Sequence, residues 1–351
     1  MSEPGLCPGF VQTVCGNVAP EEIGVTLTHE HLHHKASSVM FAPRKPDAKY
    51  AYLAQAPFDT ENLWWINYHP YSHVDNLRFD DMITEDSVTR EMNFYKENGG
   101  SCVVEVTTFG RDLKYLQKLS KESRVHIVAG AGFYVASAHG SHVNLSEEQI
   151  SKIIADELLV GENGIKCGVI GEIGTSYPVH PFEKRVLCAS ASLQENTAVP
   201  VIIHPGRHRE APFEVMRIYL EAGGKANKTV MSHLERTLLN DDDLLEFAKL
   251  GSFCEFDLFG IETSYYEISD TIDMPSDATR IQRLKMLIDE GYSKKILISH
   301  DIHTKHRLMR FGGHGYSHIL LNTIPKMLER GYSSANVQDI LVNNPRQWLT
   351  I

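Results

Sequence analysis

Long apolar runs are missing from this sequence. Nothing in it approaches the roughly 18 residues of a membrane span, and "MSEPGLCPGF" at the start lacks the basic-then-apolar pattern of a signal peptide. The expectation is a cytoplasmic protein without membrane contact. Cysteine is sparse as well. Six are present (Cys7, Cys15, Cys102, Cys167, Cys188, Cys254), none in a C-x-x-C pair, and Cys102, Cys167 and Cys254 sit in or beside apolar runs as buried free thiols do. A disulfide framework, a zinc–thiolate site and a catalytic cysteine are therefore unsupported. Basic residues fall short of acidic ones, 34 against 45, and the resulting net charge of -11 argues against nucleic-acid binding. No G-x-G-x-x-G follows the first apolar run, which weakens a dinucleotide-binding reading.

What is present is an ordinary globular composition, 42% hydrophobic and 23% charged, over 351 residues. Eight short apolar runs read as strands: "GVTLTHEH", "SCVVEVTT", "RVHIVAGAGF", "IKCGVIGEIG", "VPVIIHPG", "KTVMSHLE", "GSFCEFDLF" and "KKILISHDI". Helical patterns alternate with them. One opens at Ser146 with a Ser-x-x-Gln capping box, one starts after Pro212 and stops at Gly223, and one opens at Asn240 with the acidic turn Asp241 to Asp243 and stops at Gly251. Eight strand–helix units, several strands rich in Val and Ile, predict an α/β fold, a single (β/α)8 TIM barrel over residues 1–351. Residues 35–83, between the first and second strands, exceed an ordinary βα loop and hold "NLWWINYHPYSH". They are read as a lid-like insertion over the mouth, with packing against the outer helices as the competing account.

In such a barrel chemistry sits at the C-terminal strand ends. There the sequence places His29 and His31 on strand one, Glu172 on strand four, His204 on strand five, His233 on strand six and Asp301 on strand eight. In "VTLTHEHLHH" strand alternation puts His29 and His31 on one face and turns Glu30 away. A lone His-x-His is a weak signal, but four imidazoles and two carboxylates at five strand ends form a donor set for two divalent ions, with Glu172 as the bridge. Zinc is the first expectation, and manganese, cobalt and iron suit the same donors. Two such ions would share a bridging hydroxide and polarise a carbonyl or phosphoryl oxygen, with Asp301 as ligand and proton shuttle. His300 is expected to face outward or into the barrel wall. Glu105 and Arg111 read as an ion pair under the mouth, while His33, His34, His69, His73, His139 and His142 exceed what such a site can use.

The stretches "GVTLTHEH", "VVEVTTFGRD", "AGAGFY", "GVIGEIG", "VIIHPGR", "MSHLERT" and "ISHDIHTKHRL" followed by "GGHGYSHIL" resemble the phosphotriesterase branch of the amidohydrolase superfamily, from about residue 10 to "NPRQWLT". Carried over by position, the family's metal histidines fall on His29, His31, His204 and His233, and its strand-eight aspartate on Asp301. One departure stands out. Bacterial phosphotriesterases bridge their metals with a carboxylated lysine, whereas this chain has Glu172, as the resemblance implies for the phosphotriesterase-related and bacterial homology proteins, with Lys166 at the wrong end of the strand. The resemblance to the branch's animal members implies a binuclear amidohydrolase acting on N-acetyltaurine and other N-acetyl amino acids, with barrels that often pair as homodimers. For such a small anionic substrate, Arg207, Lys305 and Arg307 are the candidate cations. Tyr134 is the candidate hydrogen-bond donor to the acyl oxygen. A lactonase or organophosphate esterase with the same centre, and a non-catalytic metal binder, are the alternatives. The intact set of six ligand positions speaks against the last of these.

Overall fold

A computed structural model describes residues 6–35 and 44–351. A short hairpin, β1 (Val11–Thr13) and β2 (Gly16–Val18), leads into eight parallel strands: β3 (Val25–Glu30), β4 (Gly100–Glu105), β5 (His126–Ala131), β6 (Val169–Gly174), β7 (Val201–His204), β8 (Thr229–Met231), β9 (Phe253–Phe256) and β10 (Ile296–Ile298). They lie side by side in chain order from β3 to β10. The ends of this sheet meet: Thr28 Oγ1 donates to Ile298 O at 3.3 Å, Ser299 Oγ accepts from His29 N at 3.0 Å, and Asp301 N donates to His29 O at 3.1 Å. The eight expected strands and the barrel are all present.

Alternation along the strands sorts their apolar side chains into two layers. Cys102, Val104, Val128, Val169, Ile202, Val230, Phe253 and Leu297 cluster inside the barrel. Their neighbours Val103, Ile127, Ile170, Val201, Ile203, Met231, Cys254, Ile296 and Ile298 face the helices. Val11, Ile23, Trp348 and Leu349 close the lower end of the inner cluster, and Trp348 Nε1 donates to Val201 O at 3.3 Å. With that end filled by side chains, the C-terminal strand ends are the open face.

The helix signals also hold. The helix Glu147–Leu159 has the Ser146/Gln149 capping box, Ala211–Glu221 carries Pro212 in its first turn, and Asp241–Ala248 is capped by Asn240. Gly223 and Gly251 lie just beyond the last two, at φ of +93° and +84°, where a side chain would be strained. No helix among the described residues is long and apolar enough to cross a membrane.

Of the insertion, residues 36–43 lie outside the described residues. The remainder forms short turns, with Leu53, Trp65 and Ile66 in a small core of their own. Tyr71 and Leu77 pack on Leu258, Tyr266, Ile272 and Met274, all from the segment after β9.

Candidate active site

Strand parity alone would send two of the expected ligands the wrong way. Leu27 faces the helices, so regular alternation would turn His29 outward too, and Ile170 would carry Glu172 outward with it. Register shifts between Leu27 and Glu30 in β3, and between Ile170 and Ile173 in β6, reverse both side chains. Bulges beside active sites re-aim side chains in this way. His204 and Asp301 keep the inward parity of Ile202 and Leu297. His233, two residues past the end of β8, has φ of +55° and Asp301 has φ of +53°.

These turns bring the six side chains into one buried cluster around Glu172. Its Oε2 lies 3.0 Å from His204 Nδ1, 3.6 Å from His233 Nε2 and 3.7 Å from His29 Nε2, and its Oε1 lies 3.6 Å from His31 Nε2. Asp301 Oδ1 is 3.2 Å from His31 Nε2 and 3.7 Å from His29 Nε2. Among the described residues three donor groups result: His29–His31–Asp301, Glu172–His204–His233, and His29–His233–Asp257, which shares a histidine with each of the other two.

The donor set fits divalent metal. Ligand atoms about 2.1 Å from a tetrahedral ion lie about 3.4 Å apart, which matches these spacings. His29 Nε2 is buried and has no hydrogen-bond partner although it points at two carboxylates. The opposite imidazole edges are occupied: His29 Nδ1 meets Glu255 Oε2 at 3.1 Å and Asp257 Oδ2 at 3.3 Å, His233 Nδ1 meets Asp257 Oδ1 at 2.6 Å, and His31 Nδ1 meets Thr107 Oγ1 at 2.8 Å. Such outer contacts fix tautomer and ring orientation in metal sites.

Protonation follows the same geometry. Burial opposes ionisation of Glu172 and Asp301, but His204 and His29 around the first, and His303 and His31 around the second, hold both well below the usual carboxylate range. Burial pushes His204 down to about 4, and burial with the nearby Arg236 holds His233 well below its ordinary value. Ionised carboxylates and neutral imidazoles are the ligand forms. His29 and His31 run the other way: burial disfavours their charge, yet Asp257 and Glu172 around His29, and Asp301 around His31, raise them.

The cluster floors a cavity of about 510 Å³. Tyr134, Arg207 and Arg307 line it as expected from the sequence. Lys305 does not. Its ammonium is held by Asp75 at 2.9 Å and Asp81 at 2.7 Å. Arg111 pairs with Glu157 at 2.6 Å rather than with Glu105, whose carboxylate accepts from Thr107 Oγ1 behind His31. His300 is buried in the wall, with Nδ1 at 2.7 Å from Glu30 Oε1.

Other cavity residues were not singled out from the sequence. Arg236, three residues past His233, reaches within 3.4 Å of His204 Nε2. His303 contacts Asp301 Oδ1 at 3.0 Å through Nδ1 and the Tyr71 hydroxyl at 3.1 Å through Nε2. Arg207, Arg236 and Arg307 are largely buried, and none makes an ion pair with a carboxylate among the described residues.

The comparisons agree with this construction. Residues 9–349 match the model of the Phosphotriesterase family. An N-acetyltaurine hydrolase of Tetraodon nigroviridis is 50% identical over 349 residues, covering 97% of this chain and 98% of its own. One of Xenopus tropicalis is 49% identical over 347 residues, with coverage of 97% and 98%. The crystal structure of a resiniferatoxin-binding protein from Rhodobacter sphaeroides superposes with a TM-score of 0.91 at 30% identity, covering 99% of this chain and 98% of that one. The chain belongs to the phosphotriesterase family of metal-dependent hydrolases.

Proposed function

We propose that the protein hydrolyses N-acetyltaurine to taurine and acetate, and accepts other N-acetyl amino acids at the same site. The observation that carries this reading is the trio of buried Arg236 and Arg307 and half-buried Arg207, cations without carboxylate ion pairs among the described residues, beside a metal-type donor cluster. Buried charge is costly when unpaired, so the cavity calls for an anionic ligand. The two relatives, similar over nearly the whole chain, carry the name of the activity.

His29, His31 and Asp301 would hold one ion and His204 and His233 the other, with Glu172 between them; zinc is the first choice. When bound, the pair would polarise the acetamide carbonyl and lower the pKa of water towards neutrality. Asp301, kept ionised by its histidine neighbours, accepts the proton of the attacking water and delivers it to the amide nitrogen, so that taurine leaves as an amine and acetate remains. Tyr134, with its hydroxyl 3.4 Å from His204 Nδ1, donates to the developing oxyanion. The arginines hold the sulfonate.

N-ethylacetamide, the substrate without its sulfonate, tests the arginines. Its kcat/KM should fall about three orders of magnitude below that of N-acetyltaurine, since a site built for a polar group rejects the analogue lacking it. A preference under about tenfold would remove the arginines from recognition.

Residues 44–83 act in this reading as a lid fastened by Glu267. Its carboxylate accepts from Tyr71 N at 2.9 Å and from Ser72 Oγ, and lies 3.5 Å from His69 Nδ1. Glu267→Ala should raise KM about tenfold, the equivalent of one charge-assisted hydrogen bond, and speed proteolysis within the insertion. Wild-type KM and an unchanged proteolysis rate would contradict the lid.

A further inference from the structure

Arg207, half-buried at the cavity, is held by a tyrosine rather than by a carboxylate. Its Nε donates to the hydroxyl of Tyr266 at 2.7 Å, and the guanidinium carbon lies 5.8 Å from the centre of the same ring. Tyr134 and Tyr71 line the same cavity, and no carboxylate among the described residues forms an ion pair with Arg207. With Nε taken by Tyr266, the two terminal nitrogens are the remaining donors of a guanidinium that lines the cavity.

Tyr266 is itself anchored. It is 9% exposed and packs in the apolar cluster of Tyr71, Leu77, Leu258, Ile272 and Met274, which joins the insertion to the segment after β9. A flexible arginine loses much rotamer freedom on binding an anion, and a fixed partner at Nε removes that cost beforehand.

We propose that Tyr266 is a positioning residue for the reaction: it sets Arg207 as a two-pronged receptor for two oxygens of the sulfonate, the third facing another donor of the cavity wall. This rests on the N-acetyltaurine reading above, but the anion seat is testable without turnover.

The test is a double-mutant cycle on metal-loaded protein, with ethanesulfonate as the probe and calorimetry as the readout. Tyr266→Phe keeps the ring and its packing and removes only the hydroxyl. It should weaken ethanesulfonate about tenfold and raise the KM for N-acetyltaurine by a larger factor than it lowers kcat. Arg207→Gln should weaken the probe at least as much, and the double variant no more than Arg207→Gln alone, because the tyrosine acts through the arginine. Additive losses, wild-type affinity in Tyr266→Phe, or no ethanesulfonate binding by the wild type would each overturn the proposal. A non-additive cycle in a protein that releases no taurine would sink the substrate reading and leave the seat standing. Robust taurine release with additive losses would do the reverse.

Discussion

Asp301→Asn is expected to lower kcat by about three orders of magnitude or more and to leave the barrel folded. The expected loss follows from the two tasks proposed for this carboxylate, which lies 3.2 Å from His31 Nε2 and 3.7 Å from His29 Nε2: metal ligand, and carrier of a proton from water to the amide nitrogen. The amide of asparagine keeps one oxygen of similar shape but accepts no proton at neutral pH. The fold is spared for a local reason. Asp301 sits at φ of +53°, a region asparagine tolerates better than most residues, and its backbone N still closes the barrel on His29 O. Steady-state kinetics, metal content and the melting temperature are the readouts. Activity within tenfold of wild type would take Asp301 out of the proton transfer, whereas a melting temperature lower by more than roughly 5 °C would show that the side chain was structural.

Glu172→Gln should strip the centre of its bridge. Both oxygens are in use, Oε1 towards His31 and Oε2 towards His204, His233 and His29, so the residue reaches histidines of both proposed ion sites. A glutamine there offers one neutral oxygen and an NH2 that repels metal. The expected result is a fall from about two bound ions per chain to one or fewer, with activity lower by at least about two orders of magnitude. Elemental analysis of dialysed protein reads the first effect and taurine release the second. Two ions retained with full activity would mean that another group bridges them.

The eight strands were legible because each is a short apolar run ended by a change of residue type, and the six cluster residues because histidine and carboxylate stand at those endings. How two of them reach the cluster was not legible. The bulges that turn His29 and Glu172 inward depend on pairing between strands, which no local pattern displays. Asp257 and Glu255, which back the histidines, had left a trace: in "FCEFDLF" they share the inward parity of Phe253, and acids on the buried face of a strand ask for partners.

Long-range charge pairing accounts for the other misses. Lys305 has the right type and the right strand end, and only the folded insertion brings Asp75 and Asp81 to it. Arg111 is adjacent to the expected Glu105 in the barrel wall but is met by Glu157 from the helix Glu147–Leu159. Arg236 was not singled out from the sequence; it lines the cavity, while its neighbour Glu235 faces Arg280 at 3.5 Å.

The most direct test of the whole account is taurine release from N-acetyltaurine by purified, zinc- or manganese-loaded protein, run beside a lactone and an aryl phosphotriester. The account predicts taurine and acetate in equal amounts, abolished by chelation, with the two uncharged esters cleaved far more slowly. Ester cleavage without taurine would contradict it, because a cavity lined by Arg207, Arg236 and Arg307 would then be serving a substrate with no anion to bind.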